Sequence, residues 1–380
     1  MSATDYEVSI QVFNLTTYET VDKPQFHMVD PDTQYIEGRD FLVFSYSGNG
    51  NVTGRLHHIK DRGCNISDWD DFPENDIALV RRGSCTFQEK ITNGILASAR
   101  GMIIFNSGEN GNEGLFLGNI GFNHLVPFPV IATTYSLGES FEFFPEAEVN
   151  LYVQGTLQVT FTRNVIAETK NGNPGKVIVI GSHLDSVPAG PGINDNGSGS
   201  SLNLELALKA HQYLYNPRQK MRFIWFGAEE LGLLGSEHYV RNLQQHAPEE
   251  LEKIVLNLNF DMVASPNFQR GIYNGSSATD QTILKASTEI QRLFEQFFEI
   301  KNLTSIPVPF NGRSDYGPFI DVGIPAGGLF TGAEEIKSDS SRKLFGGLGN
   351  TAFDPCKIFI FCFLFFKFSS RLSSSVRYHQ

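Results

Sequence analysis

No apolar run in this chain of 380 residues is long enough to cross a bilayer as a helix. The most apolar stretch, KIFIFCFLFFKF at residues 357–368, has twelve residues and two lysines, and it reads as an aggregation hazard. Basic residues are also scarce: 30 Lys and Arg stand against 42 Asp and Glu, a formal net charge of -12. That balance argues against nucleic acid as the main partner, because neutralising phosphates needs clustered cations, and no membrane partner is expected. The N-terminus, MSATDYEVSIQVF, lacks the basic start and apolar centre of a secretory leader. Cysteine is limited to Cys64, Cys85, Cys356 and Cys362, too few to define a disulfide framework or to reveal a pairing.

What the chain does contain is an ordinary globular balance, 41% hydrophobic and 19% charged, arranged around residues 177–201, VIVIGSHLDSVPAGPGINDNGSGSS. The apolar run 177–180 suits a strand buried on both faces of a parallel sheet. His183 and Asp185 follow it, then a Pro/Gly-rich loop, then Asp195, then an apolar-patterned helix over 202–215. In open α/β sheets, ligands gather in the crevice beyond the carboxyl ends of the strands.

Along the chain, residues 6–17 read as a strand. Between about 35 and 148 the texture is β-rich, with short runs, Gly/Asn/Pro punctuation and one helical candidate at 86–99. From 151 onward strands alternate with helices: strand 222–228, helix 234–245, strand 254–260, helix 279–297, and a Gly/Pro-rich loop at 307–328. The alternation predicts an α/β fold with a mainly parallel mixed sheet and helices on both faces.

Acidic or imidazole groups stand beyond apolar strands at four places: His183 with Asp185, Asp195, Glu229 with Glu230, and Asp261. Parallel strands direct these ends to one edge, where converging carboxylates repel unless cations are bound. Imidazole with carboxylates and no thiolate suits zinc. Asp185 is placed to accept a hydrogen bond from the imidazole nitrogen that does not hold metal. Of the adjacent glutamates, one can ligate while the other serves as general base.

The stretches HLDSVPAGPGINDNGSG, FGAEELGLLGSEHYV, NFDMVASPN and GRSDYGPFIDVGIPAGGLFTGAEE resemble the co-catalytic dizinc aminopeptidases of the aminopeptidase Y type. The segment with Cys64, ALVRRGSCTF and GMIIFNSG resembles a protease-associated domain inserted in such a peptidase. The resemblance implies a discontinuous peptidase domain at 1–38 and 149–356, a protease-associated domain at 39–148, and an aberrant tail at 357–380. It implies two zinc ions per chain, with His183 and Asp261 as ligands of one, Asp195 as the bridge and Glu230 as a ligand of the other. Glu229 then resembles the general base, and Arg313 the residue that holds the substrate backbone or the tetrahedral intermediate. Cys64 and Cys85 resemble a disulfide pair.

After Phe353-Asp354-Pro355-Cys356 the family pattern breaks, and the Tyr-His pair that ends it returns only at Tyr378-His379. Residues 357–377 are therefore expected to be translated non-coding sequence, with His379 as the last zinc ligand. Both ends are expected to be truncated relative to the family. The expected activity is release of N-terminal, apolar residues by a metal-activated water, on peptides with a free N-terminus, by a monomer. The rival readings are a carboxypeptidase or glutaminyl-cyclase-like relative, or a catalytically dead member. Six N-x-S/T sequons, at Asn14, Asn51, Asn65, Asn196, Asn274 and Asn302, point to a secreted or vacuolar glycoprotein, with no glycan expected at Asn196 inside the metal loop.

Overall fold

The computed structural model describes residues 6–109, 112–120, 124–144, 147–187, 190–213 and 216–355. Residues 357–380, with His379, Cys362 and the expected aberrant tail, lie outside the described residues, as does Cys356. The chain divides into two compact units, one of residues 1–13 and 161–380 and the other of residues 14–160.

The first unit is built on an eight-stranded mixed sheet. Its strands are β1 (Tyr6–Thr20), β2 (Gly155–Thr169), β3 (Asn173–His183), β4 (Gln219–Phe226), β5 (Ile254–Phe260), β6 (Gly271–Tyr273), β7 (Ile306–Val308) and β8 (Ala326–Phe330). They lie in the order β1-β2-β4-β3-β5-β8-β6-β7. Strand β3 runs parallel to β4 and β5, with Gly181 paired to Ile224 on one side and to Asn259 on the other. Strand β8 continues the parallel set beside β5. The carboxyl ends of β3, β4 and β5 therefore share one edge, where a ligand site is expected.

The near-continuous apolar run of β3 follows from burial on both faces. Val177 and Val179 enter one core with Tyr239 and Val240 of helix α2 (Leu234–His246) and Phe319 of helix α4 (Gly317–Asp321). Ile178 and Ile180 enter the other with Ala207 and Ala210 of helix α1 (Gly197–Tyr213) and Phe294 of helix α3 (Gln281–Ile300). Period-2 alternation thus feeds two layers of helices from one strand. Phe226, fully buried at the end of β4, anchors the first core, and Phe226→Ala would cost about 3–5 kcal/mol.

Two sequence expectations need correction. Helix α1 begins at Gly197, five residues before the apolar pattern does. Glycine and serine are poor helix formers, but Asn196 Oδ1 accepts the Gly199 N–H at 2.8 Å and sets the first turn. A Cβ on Gly199 would meet the Phe260 carbonyl oxygen at 2.1 Å, so glycine is what lets this turn approach β5. Residues 307–328, expected as a loop, contain most of β7, all of α4 and the start of β8. Pro318 occupies the first turn of α4, where its missing N–H costs nothing, and Gly327 leaves room for Ile290 of α3.

The second unit carries its own eight-stranded sheet, in which Gly50–His58, Ile77–Arg81, Gly101–Phe105 and Val130–Thr133 run parallel. The predicted helix there spans Phe87–Leu96, started by a capping box between Thr86 and Glu89. Cys64 and Cys85 are joined by a disulfide. Lys90 is fully buried, and its Nζ donates to the carbonyls of Arg62 at 2.5 Å and Gly83 at 2.9 Å. Among the described residues no helix is long and apolar enough to cross a membrane.

Candidate metal centre

His183 is the last residue of β3, and the sheet buries it almost completely. Its Nδ1 lies 3.0 Å from the backbone carbonyl oxygen of Asp185. A carbonyl only accepts, so Nδ1 carries a proton, and Nε2 is the nitrogen that would offer a lone pair to a cation on giving up its own proton. Nε2 faces Asp261 Oδ1 at 3.2 Å, Asp195 Oδ1 at 3.3 Å and Glu229 Oε2 at 3.9 Å. Ligand atoms of His183, Asp195 and Asp261 all lie within 4.8 Å of one another. The three come from different elements: the end of β3, the loop before α1, and the residue after β5. Asp195 therefore stands on a loop rather than at a strand end.

Asp185 behaves differently from the sequence expectation. Its carboxylate is 3.6 Å from His183 Nδ1, beyond hydrogen-bond reach, while its carbonyl makes the bond. The carboxylate instead accepts the backbone N–H of Glu229 at 3.0 Å and of Glu230 at 3.1 Å. One residue thus orients the imidazole and the turn that bears both glutamates.

The electrostatics are those of a crowded donor set. Burial works against an imidazolium at His183, but Asp185, Asp195 and Asp261 outweigh it and hold the ring well above its ordinary pKa. Burial pushes Glu229 well above the usual carboxylate range; His183 opposes the rise, and Asp261, Asp315 and Glu230 add to it. Asp315, fully buried, is raised to about 7 by burial, against the pull of His183 and of the neighbouring Ser236 side chain. A buried set of carboxylates around an imidazole lone pair is relieved by a cation, and one imidazole with carboxylates fits zinc.

Of the remaining predicted residues, Glu230 is adjacent, but its carboxylate is not among the donors that converge with His183, Asp195 and Asp261. Arg313 lies on an exposed loop, its backbone N–H bonded to Asn311 Oδ1 at 3.3 Å. Residues not singled out in the sequence complete the surroundings. Ser314 Oγ donates to Asp261 Oδ2 at 2.6 Å and accepts from Asn259 Nδ2 at 2.8 Å. Beside them Phe310 stacks on Tyr316 at 4.9 Å, with Tyr273 at 4.8 Å from Tyr316. Burial, with Asp261 and Glu229 adding to it, raises the Tyr273 pKa, and Tyr273 and Tyr316 are packed in the core. The only sequence signal for these positions was their place beside the acidic motifs. Asn196 is buried and donates to the Phe260 carbonyl at 3.0 Å, which leaves no room for a glycan.

Comparison with known proteins agrees with this geometry. Residues 164–356 match the model of Peptidase family M28, and residues 52–141 match that of the PA domain. An aminopeptidase of Pseudomonas aeruginosa is 40% identical over 92% of this chain and 67% of its own length. A probable leucine aminopeptidase 2 of Aspergillus oryzae is 38% identical over 89% of this chain and 68% of its own. A solved zinc aminopeptidase of Bacillus subtilis superposes with a TM-score of 0.63 at 26% identity, over 90% of this chain and 80% of that one. The chain thus spans about two thirds of the length of these curated relatives.

Proposed function

Because the chain belongs to peptidase family M28, with a PA domain inserted, we propose that it is a zinc aminopeptidase releasing apolar N-terminal residues from peptides through the centre at His183. The observation that carries this reading is the convergence of His183 Nε2, Asp195 Oδ1 and Asp261 Oδ1 beside the Glu229 carboxylate. His183, Asp195 and Asp261 would hold one zinc ion. Two ions per chain is what the family resemblance implies, in which case Asp195 would be shared and Glu230 would serve the second. Bound zinc supplies Lewis acidity toward the scissile carbonyl and the attacking water.

The protein's own groups do the rest. Glu229 stands within reach of the donor cluster without belonging to it, and burial raises the proton affinity of its carboxylate, which suits a group that takes a proton from water and passes it to the leaving amine. Acidic groups also suit a free α-ammonium and disfavour a substrate carboxylate, which supports an aminopeptidase over a carboxypeptidase. An apolar side chain is supported by the likeness to a probable leucine aminopeptidase 2. Secretion is supported by the disulfide, which persists in oxidising compartments, and by exposed sequons at Asn14, Asn51, Asn65 and Asn302.

The test is hydrolysis of leucine-p-nitroanilide and of its N-acetylated form. Cleavage of the free amine alone, lost on chelation and restored by zinc, is the expected result. Equal cleavage of the acetylated compound, or activity that survives chelation, would reject the proposal.

A further inference from the structure

We propose that Asp354 is a positioning residue for the zinc centre, acting through Asn194 on the loop that carries Asp195; the inference rests on the zinc reading above. Asp354 and Asn194 are 160 positions apart and both buried, 5% and 7% exposed, and Asn194 Nδ2 donates to Asp354 Oδ2 at 2.8 Å. A hydrogen bond to a carboxylate is stronger than one between neutral groups, and burial strengthens it further.

The chemistry of the pair sets the orientation of the Asn194 amide. A carboxylate accepts only, so it requires the NH₂ end. The Oδ1 end is then turned to the backbone N–H of Ala264 at 3.0 Å and to Ser198 Oγ at 3.2 Å. Ser198 Oγ in turn accepts the Val263 N–H at 2.9 Å, while Asn194 Nδ2 also reaches Ser265 Oγ at 3.1 Å. A flipped amide would set oxygen against carboxylate and NH₂ against N–H. Asn194 therefore ties the residue before Asp195 to the chain just beyond Asp261.

On the other side of Asp195 the tie is repeated. Asn196 donates to the Phe260 carbonyl at 3.0 Å and accepts the Met262 N–H at 3.3 Å. Asp195 is thus held between two asparagines, each bonded to the backbone that flanks Asp261. Asp354 is itself placed by backbone hydrogen bonds: its N–H reaches the Ala333 carbonyl at 2.7 Å, and that of Phe353 reaches Glu335 at 3.1 Å. The segment that carries Asp354 therefore bears on the spacing between Asp195 and Asp261 through the hydrogen bonds of Asn194. Groups that orient ligands in this way commonly shift metal affinity about 10–100-fold when removed.

The experiment measures zinc affinity of the full chain by competition with a chromophoric chelator, together with the melting temperature of the metal-free protein. Asp354→Asn keeps the volume but replaces the anion with a neutral amide, and zinc should be held about tenfold more weakly. Asp354→Ala should approach a 100-fold loss, with Asn194→Ala similar and the double variant losing no more than the larger single effect. A merely structural role would lower the metal-free melting temperature and leave zinc affinity alone. Folded Asp354→Asn protein with wild-type zinc affinity overturns the proposal, as does a double variant whose losses add in full. If Asp354→Ala does not fold, the Asp354→Asn value decides. A wild-type chain that takes up no zinc defeats the functional reading itself, a result distinct from either.

Discussion

Ser314 holds one oxygen of Asp261: its hydroxyl donates to Oδ2 at 2.6 Å while Oδ1 faces His183 Nε2 at 3.2 Å. The carboxylate is thereby fixed in rotation, with one oxygen occupied and the other presented to the imidazole. Ser314→Ala frees that rotation and leaves the buried Asn259 amide without an acceptor. Zinc affinity should fall about 10–100-fold, with no loss of expression as folded protein. Chelator competition reads the first and circular dichroism the second.

Glu229 is expected to separate metal uptake from turnover. Glu229→Gln keeps the shape and removes the proton acceptor, so kcat should fall about 10²–10⁴-fold. Zinc content after dialysis should match that of the wild type, because His183, Asp195 and Asp261 are untouched. Loss of zinc in parallel with activity would move Glu229 from proton transfer to metal binding.

Lys90 provides a pH signature away from the metal. Burial, with Arg62 nearby, lowers its pKa from the ordinary lysine value of 10.5 to about 8. Between those limits the unfolded chain binds more protons at this site than the folded one, so the contribution to stability rises with pH across that window. Below the folded value both states are charged and the burial penalty is constant. Urea midpoints at about pH 7 and about pH 9.5 should therefore favour the wild type over Lys90→Met increasingly at the higher pH. A difference between the two proteins that does not change with pH would show an unshifted lysine.

The parts of the fold legible in sequence were those whose physics is local. Residues 254–260 read as a strand and form one with the same bounds, because an apolar run with β-branched residues between two helices has few alternatives. His183 and Asp261 stood out because each closes an apolar strand run, whereas Asp195, in a polar loop, stood out through the motif resemblance around it. What the sequence did not display were contacts between distant polar residues: Ser314 with Asp261, and Asn194 with Asp354, separated by 53 and 160 positions. Serine and asparagine are common in loops, and only the three-dimensional register makes these particular ones partners. The bond from His183 to the Asp185 carbonyl was hidden for a related reason, since a side-chain pattern says nothing about which carbonyl an imidazole will meet. The short elements within 307–328 were hidden by glycine and proline, which here permit close packing instead of marking a break.

Asp185 serves its two neighbours with different chemical groups: a carbonyl for His183, and a carboxylate for the amides of Glu229 and Glu230. Every amino acid brings a carbonyl, so Asp185→Ala keeps an acceptor for His183 Nδ1 while it withdraws one of the carboxylates that raise the imidazole pKa and releases the glutamate turn. The expected phenotype is a variant that still takes up zinc but loses kcat, whereas a variant that also fails to hold zinc would place the imidazole under side-chain control.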